Sequence, residues 1–182
     1  MRQHTKFGRR LVVPLVTVAA ILFGSAVAAS AATQPATAAQ AAALQAPRVV
    51  SIIQSSSNRF LDAHEISSLD FNVVTRPFQN NSTQRWVLTE IGNGIFTIVQ
   101  VSSGRFLDAH EISSLDFRVV TRPAQNDPTQ AWLLLDVGGV FEIQQVSSGR
   151  FLDAYESSSQ DFQVVTRGRK NAAQQRWRIV DV

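Results

Sequence analysis

Three carboxylates occupy matched positions: Asp62, Asp108 and Asp153 each sit inside a Leu-Asp-Ala triplet. Two residues further on come His64, His110 and Tyr155, followed by Glu65, Glu111 and Glu156. A carboxylate pair such as Asp62 and Glu65 is the equipment of glycosidic cleavage, where one acid protonates the leaving oxygen and its partner attacks or activates water. Such pairs recur here three times on a small surface, with no insertion long enough to build a deep cleft around any of them. Nothing presents a nucleophile on a sharp strand-to-helix turn. His64 and His110 fall in separate copies of the pattern, so they are not expected to share a metal. The residues therefore argue for a non-catalytic chain that uses no cofactor and no metal.

The triplets belong to a stretch that occurs three times. It reads RFLDAHEISSLDFNVVTRPFQNNSTQRW from Arg59 to Trp86, RFLDAHEISSLDFRVVTRPAQNDPTQAW from Arg105 to Trp132, and RFLDAYESSSQDFQVVTRGRKNAAQQRW from Arg150 to Trp177. Phe60, Phe106 and Phe151 set a period of 46 and then 45 residues, and Trp86, Trp132 and Trp177 keep it. A fixed period outranks local signals, because it sets the architecture first. The repeats span 48–92, 93–138 and 139–182. Each holds four short β-type runs, in the second repeat Ile95–Val101, Arg105–Ala109, Phe117–Arg122 and Ala131–Asp136, separated by Ser-, Gly-, Asn- and Pro-containing turns. Alternation assigns Phe96, Ile98, Leu107, Ala109, Val119, Trp132 and Leu134 to the core face.

Four short strands cannot close a core alone, whereas three such units around a pseudo-threefold axis can. An open solenoid has no reason to stop at three and needs divergent end caps. Propellers typically use four to eight blades. The expected fold is all-β: a β-trefoil of three four-stranded repeats.

Asn80, Asn126 and Asn171, four residues before the Gln of each copy, are candidate ligand contacts because an amide both donates and accepts. They are equally suited to bonding their own turn. Arg76, Arg122 and Arg167 are expected to pair with Glu65, Glu111 or Glu156. Asp70, Asp116 and Asp161 are expected to bond the backbone of the Ser-rich turn.

The formal charge of +3 is misleading. Arg2, Lys6, Arg9 and Arg10 lie in an acid-free first 31 residues, which leaves 13 basic residues against 14 acidic ones in the remainder. Nucleic acid is not an expected partner. The start MRQHTKFGRR, the apolar run Leu11 to Ala28 and the Ala29-Ser30-Ala31 site describe a secretory signal peptide over 1–31, cleaved after Ala31. An uncleaved anchor is the alternative, but Pro14 and Gly24 interrupt a run of marginal length. Residues 32–47, rich in Ala, Thr, Gln and Pro, form an expected disordered linker. There is no cysteine, so stability must come from packing alone.

Gln84-Arg85-Trp86, Gln130-Ala131-Trp132 and Gln175-Arg176-Trp177 form a threefold Q-x-W pattern downstream of Leu61-Asp62, Leu107-Asp108 and Leu152-Asp153. Over residues 48–182 this resembles the ricin-type β-trefoil lectins, also called carbohydrate-binding family 13. The resemblance implies that the Trp is a core residue, that the Gln braces a turn, and that Asp62, Asp108 and Asp153 accept hydrogen bonds from sugar hydroxyls. An acceptor-only carboxylate suits that task. Three departures accompany it. The family's cysteine pairs are replaced by Phe60 with Pro77, Phe106 with Pro123 and Phe151 with Gly168, which we read as an apolar staple. Its sugar-stacking aromatic aligns with Thr75, Thr121 and Thr166. Its Asn before the Gln becomes Thr83, Thr129 and Gln174.

Two readings stand. The first is a secreted, monomeric, non-catalytic carbohydrate-binding module with up to three shallow sites, whose partner is a polysaccharide or glycan. It is not expected to stay in a membrane after cleavage. Candidate ligand contacts are the Asp triplet with His64, His110, Tyr155, Asn80, Asn126 and Asn171. The rival is an extracellular protein-binding or structural trefoil that has lost its sugar sites, because fold alone does not assign function.

Overall fold

The computed structural model describes residues 46–182. The expected signal segment and all but the last two residues of the expected linker lie outside the described residues. Twelve strands follow one another: β1 (Arg48–Gln54), β2 (Phe60–Ala63), β3 (Val73–Arg76), β4 (Trp86–Gly92), β5 (Ile95–Gln100), β6 (Phe106–Ala109), β7 (Val119–Arg122), β8 (Trp132–Asp136), β9 (Phe141–Gln145), β10 (Phe151–Ala154), β11 (Val164–Arg167) and β12 (Trp177–Asp181). In the second repeat these match the sequence-based runs to within two residues at either end.

Six strands close a barrel. Antiparallel pairing runs from β12 to β1, β4, β5, β8, β9 and back to β12. The other six form three hairpins, β2–β3, β6–β7 and β10–β11, each with four paired residues. Each hairpin joins the barrel through the Phe that begins it, at Ile53↔Phe60, Val99↔Phe106 and Gln144↔Phe151. The hairpins meet in a ring: Thr75 N–H donates to Phe162 O, Thr121 to Phe71 O and Thr166 to Phe117 O, at 2.9–3.0 Å. This is a β-trefoil.

One core serves all three repeats. Trp86, Trp132 and Trp177 are fully buried in it with Leu61, Leu107 and Leu152, and the first Val of each third strand (Val73, Val119, Val164) joins them. Of the alternation-derived set, Ile98, Leu107, Ala109, Val119 and Trp132 are buried, while Phe96 and Leu134 pack partly exposed against the cluster. Alternation missed Val74, Val120 and Val165. They are buried although they face away from the core set, because there the hairpins bridge one another (Asn72↔Val120, Val74↔Gln163, Arg118↔Val165).

The departures from the family pattern have physical substitutes. The ring partner of Phe60 is Phe78, with centroids 5.1 Å apart, so the residue after the expected Pro77 packs on it. At the matching place in the third repeat Arg169 lies over Phe151 and pairs at 2.8 Å with the buried Glu142. Ala124 takes that place in the second repeat. Thr75, Thr121 and Thr166 are fully or almost fully buried. Their carbonyls and hydroxyls receive the guanidinium groups of Arg59, Arg105 and Arg150 at 2.7–3.3 Å. Each of these guanidinium groups also lies 3.6–3.7 Å from the ring centroid of a Phe in another repeat: Phe162, Phe71 and Phe117 respectively. Those Phe residues and the Asp before them adopt φ near +50°, a left-handed conformation that costs an L-residue about 1–2 kcal/mol. The stacked arginine and the hairpin-to-hairpin bond offset that cost.

Candidate functional site

Leu-Asp-Ala and Q-x-W are two halves of one local structure. Each Trp donates its indole N–H to the Leu carbonyl of the same repeat: Trp86 to Leu61, Trp132 to Leu107 and Trp177 to Leu152, at 3.0–3.1 Å. Each Gln caps the loop before it. Gln84 Oε1 accepts from Gln79 N–H and its Nε2 donates to Pro77 O, both at 2.8 Å, and Gln130 and Gln175 repeat this with Gln125, Pro123, Lys170 and Gly168. Gln130 and Gln175 also donate to Asp108 and Asp153 at 3.2 and 3.3 Å. The Trp thus fixes the main chain at Leu, and in the second and third repeats the Gln orients the carboxylate that follows it.

The three aspartates are nearly buried, and Asp62 and Asp153 sit at the floor of surface depressions. Asp62 and Asp108 each accept from the next residue's N–H, at 2.8 and 2.7 Å, which leaves the second oxygen of Asp62 toward the depression. Around Asp62 lies a pocket of about 370 Å³ lined by His64, Glu65, Arg76, Gln79, Asn81 and Thr83. Around Asp153 lies another of about 370 Å³, lined by Tyr155, Glu156, Arg167, Lys170 and Gln174. Lys170 Nζ stands 3.3 Å from Asp153. In the second repeat Arg122 Nε approaches Asp108 to 3.9 Å instead.

The pocket walls are built across repeats, which sequence reasoning did not foresee. Arg76 pairs with Asp161 (2.7 Å) and Arg167 with Asp116, not with the glutamates expected. His64 Nε2 lies 2.9 Å from the same Asp161, and Tyr155 Oη donates to Asp116 at 2.6 Å. In the second repeat His110 lies 2.7 Å from Asp70, which Arg118 also reaches at 3.2 Å. Asp70, Asp116 and Asp161 therefore bond their own Ser-rich turn only through the backbone N–H, to Ser67, Ser113 and Ser158, while their side chains reach another repeat. Glu65 and Glu111 accept instead from Ser102 and Ser147 of the following repeat.

Asp62 and His64 line one pocket, and Asp153 and Tyr155 the other; His110 holds the matching sequence position in the second repeat. The asparagines are elsewhere. Asn80, Asn126 and Asn171 hold left-handed φ of 51–55°, and Asn80 and Asn171 accept from Arg85 and Arg176 five residues on. Asn80 and Asn126 line two separate, more apolar depressions beside Phe60 and Phe106. Gln79, Asn81 and Lys170 also line the pockets and lie outside the residues proposed from the sequence. Gln79 and Lys170 share a place five residues before the Gln, which was the available signal.

The cross-repeat carboxylates carry a pH dependence. The hydrogen bond from Arg76 holds Asp161 below the usual carboxylate range, and that from Arg167 does the same for Asp116. At Asp70 burial pushes upward, but His110 and the nearby arginines outweigh it and the net shift is downward. A carboxyl whose folded value lies below its unfolded one stabilises fully above the unfolded value, about 3.9. That contribution is lost as pH falls through the folded value. All three are about half exposed, so the effect is modest. The melting temperature of the native chain is expected to fall on acidification below about pH 4, and less steeply in Asp161→Asn. Equal slopes in a thermal-melt series would contradict these pairings.

The family profile described as ricin-type beta-trefoil lectin domain-like matches residues 40–117 and 128–182. The chain belongs to this family. Among solved structures, the designed threefold-symmetric protein ThreeFoil is 28% identical with a TM-score of 0.67, covering 74% of this chain and 99% of its own. The exo-beta-1,3-galactanase 1,3Gal43A from Clostridium thermocellum is 24% identical (TM-score 0.64), and a Polyporus squamosus lectin bound to Neu5Acα2-6Galβ1-4GlcNAc is 16% identical (TM-score 0.65). Each match covers 74% of this chain, but only 30% of the galactanase and 49% of the lectin. No curated protein sequence matches the chain.

Proposed function

We propose that the protein binds carbohydrate without cleaving it, through the pockets at Asp62 and Asp153 and the related position at Asp108. One observation carries this reading. A near-buried carboxylate forms the floor of an open polar bowl, and a ring and a guanidinium group form its wall. The bowl has room for a pyranose. The carboxylate would accept from vicinal hydroxyls, Arg76 or Arg167 would donate to ring or hydroxyl oxygens, and His64 or Tyr155 would supply an edge. With Thr75, Thr121 and Thr166 buried, no aromatic stacks at the family's usual place, so each site is weak alone and gains by multivalency on a polymer. Binding rather than hydrolysis is favoured because the acids Asp62 and Glu65 already accept bonds from Ala63 N–H and Ser102. Secretion, with residues 1–31 as the signal segment, belongs to the same proposal.

The test is a polysaccharide pull-down and glycan array with the full chain and an Asp62→Asn/Asp108→Asn/Asp153→Asn variant. Asn keeps the oxygen that accepts from Ala63 and Ala109 N–H but loses the acceptor that Gln130 and Gln175 reach, so the melting temperature should fall modestly while the fold persists. Retention on a glycan is expected for the native chain, with a loss of tenfold or more in the variant, ~1.4 kcal/mol or above. No retention on any glycan, or equal retention by both, would favour the protein-binding trefoil.

A further inference from the structure

The first repeat differs from the others at one surface. Phe78 is 64% exposed although it is a large apolar ring, and it leans on Phe60 at 45°. It borders a second depression, of about 260 Å³, lined also by Phe60, Asn80, Asn81 and Arg85. The ring supplies a flat apolar face. Asn80 and Arg85, paired at 3.2 Å, place amide and guanidinium groups on the rim, and Asp181, paired with Arg48, places a carboxylate there. An aromatic face bordered by amide, guanidinium and carboxylate suits a pyranose, which has an apolar C–H face and a polar edge of hydroxyls. Asn80 accepts through Oδ1 and Asp181 through one oxygen, so the Asn80 amide N–H groups and the second Asp181 oxygen remain for a ligand's hydroxyls. Asn81 lines both this depression and the Asp62 pocket, so the two adjoin across one side chain.

We infer that the first repeat carries a second sugar subsite at Phe78, continuous with the Asp62 pocket over Asn81, so that this repeat takes a chain of two or more linked sugars. The inference rests on the sugar reading of the Asp62 pocket. Ala124 and Arg169 occupy the Phe78 position in the other repeats, and Arg169 is engaged with Glu142. The subsite is therefore confined to one repeat, which gives a threefold-repeated protein one privileged site.

Calorimetric titration of the full chain with galactose, β-1,3-galactobiose and β-1,3-galactotriose tests it, in native protein, Phe78→Ala and Phe78→Tyr. Native protein should bind galactose at weak, similar sites and the oligomers with one additional tight class per molecule, about tenfold stronger. Phe78→Ala should lose the tight class and keep galactose binding, while Phe78→Tyr should retain both. Galactose binding with no gain for the oligomers, or a gain that survives Phe78→Ala, overturns this subsite and leaves the Asp62 pocket standing. Loss of all sugar binding in a normally melting Phe78→Ala also overturns it as a separate subsite. Failure of all three sugars to bind native protein counts against both pockets.

Discussion

Trp132→Ala is expected to destabilise the protein by about 3–5 kcal/mol, the range for emptying a buried aromatic site. Thermal unfolding should show this as a fall of roughly 10–20 °C. Trp132 is fully buried in the shared core, and its indole N–H holds the carbonyl of Leu107 at 3.0 Å. Trp132→Phe separates the two contributions: it keeps most of the apolar volume but leaves the Leu107 carbonyl without its donor. A cost of about 1–3 kcal/mol is expected for that orphaned acceptor. The residue after Leu107 is Asp108, so Trp132→Phe should also loosen the floor of that repeat's site. If Trp132→Ala melts like the native chain, the single-core description is wrong.

Arg105→Ala is the second large effect, at about 2–3 kcal/mol. The guanidinium donates to the carbonyl and hydroxyl of the buried Thr121 and stacks at 3.7 Å on Phe71 of the first repeat. Removing it uncovers the carbonyl and takes away the contact that steadies Phe71 at positive φ. Arg105→Lys is expected to recover little, because an ammonium lacks the planar fork that bonds and stacks at once. Urea unfolding of the two variants checks this, and full recovery by Lys would reduce the interaction to simple charge.

The residues that made the fold legible in sequence act within one repeat. Trp86 bonds Leu61 and Gln84 bonds Pro77 of the same copy, so a fixed offset exposes them. The site was legible only where it too is local, as in Asp62 with His64. Its walls were not. His64 and Asp161 are 97 residues apart, and Arg167 and Asp116 are 51 apart, with each partner in a different copy. Repetition shows that such residues matter but not which copy supplies the partner. Proximity along the chain suggested Glu65 for Arg76, whereas the closed ring of hairpins supplies Asp161. The repeated Arg59, Arg105 and Arg150, opposite three repeated Phe residues, carried a matching signal for the inter-repeat stack. The asparagines hold left-handed turns, for which Asn is well suited, and lie outside the lining of the two aspartate pockets, a placement their spacing from Q-x-W did not reveal.

The most direct test is a heteronuclear NMR titration of the full chain with a glycan retained in the array. Fast-exchange shifts are expected at Asp62, His64 and Arg76 and at Asp153, Tyr155 and Arg167. Shifts confined to the barrel strands, with these six residues unmoved while the glycan is bound, would overturn the proposed sites.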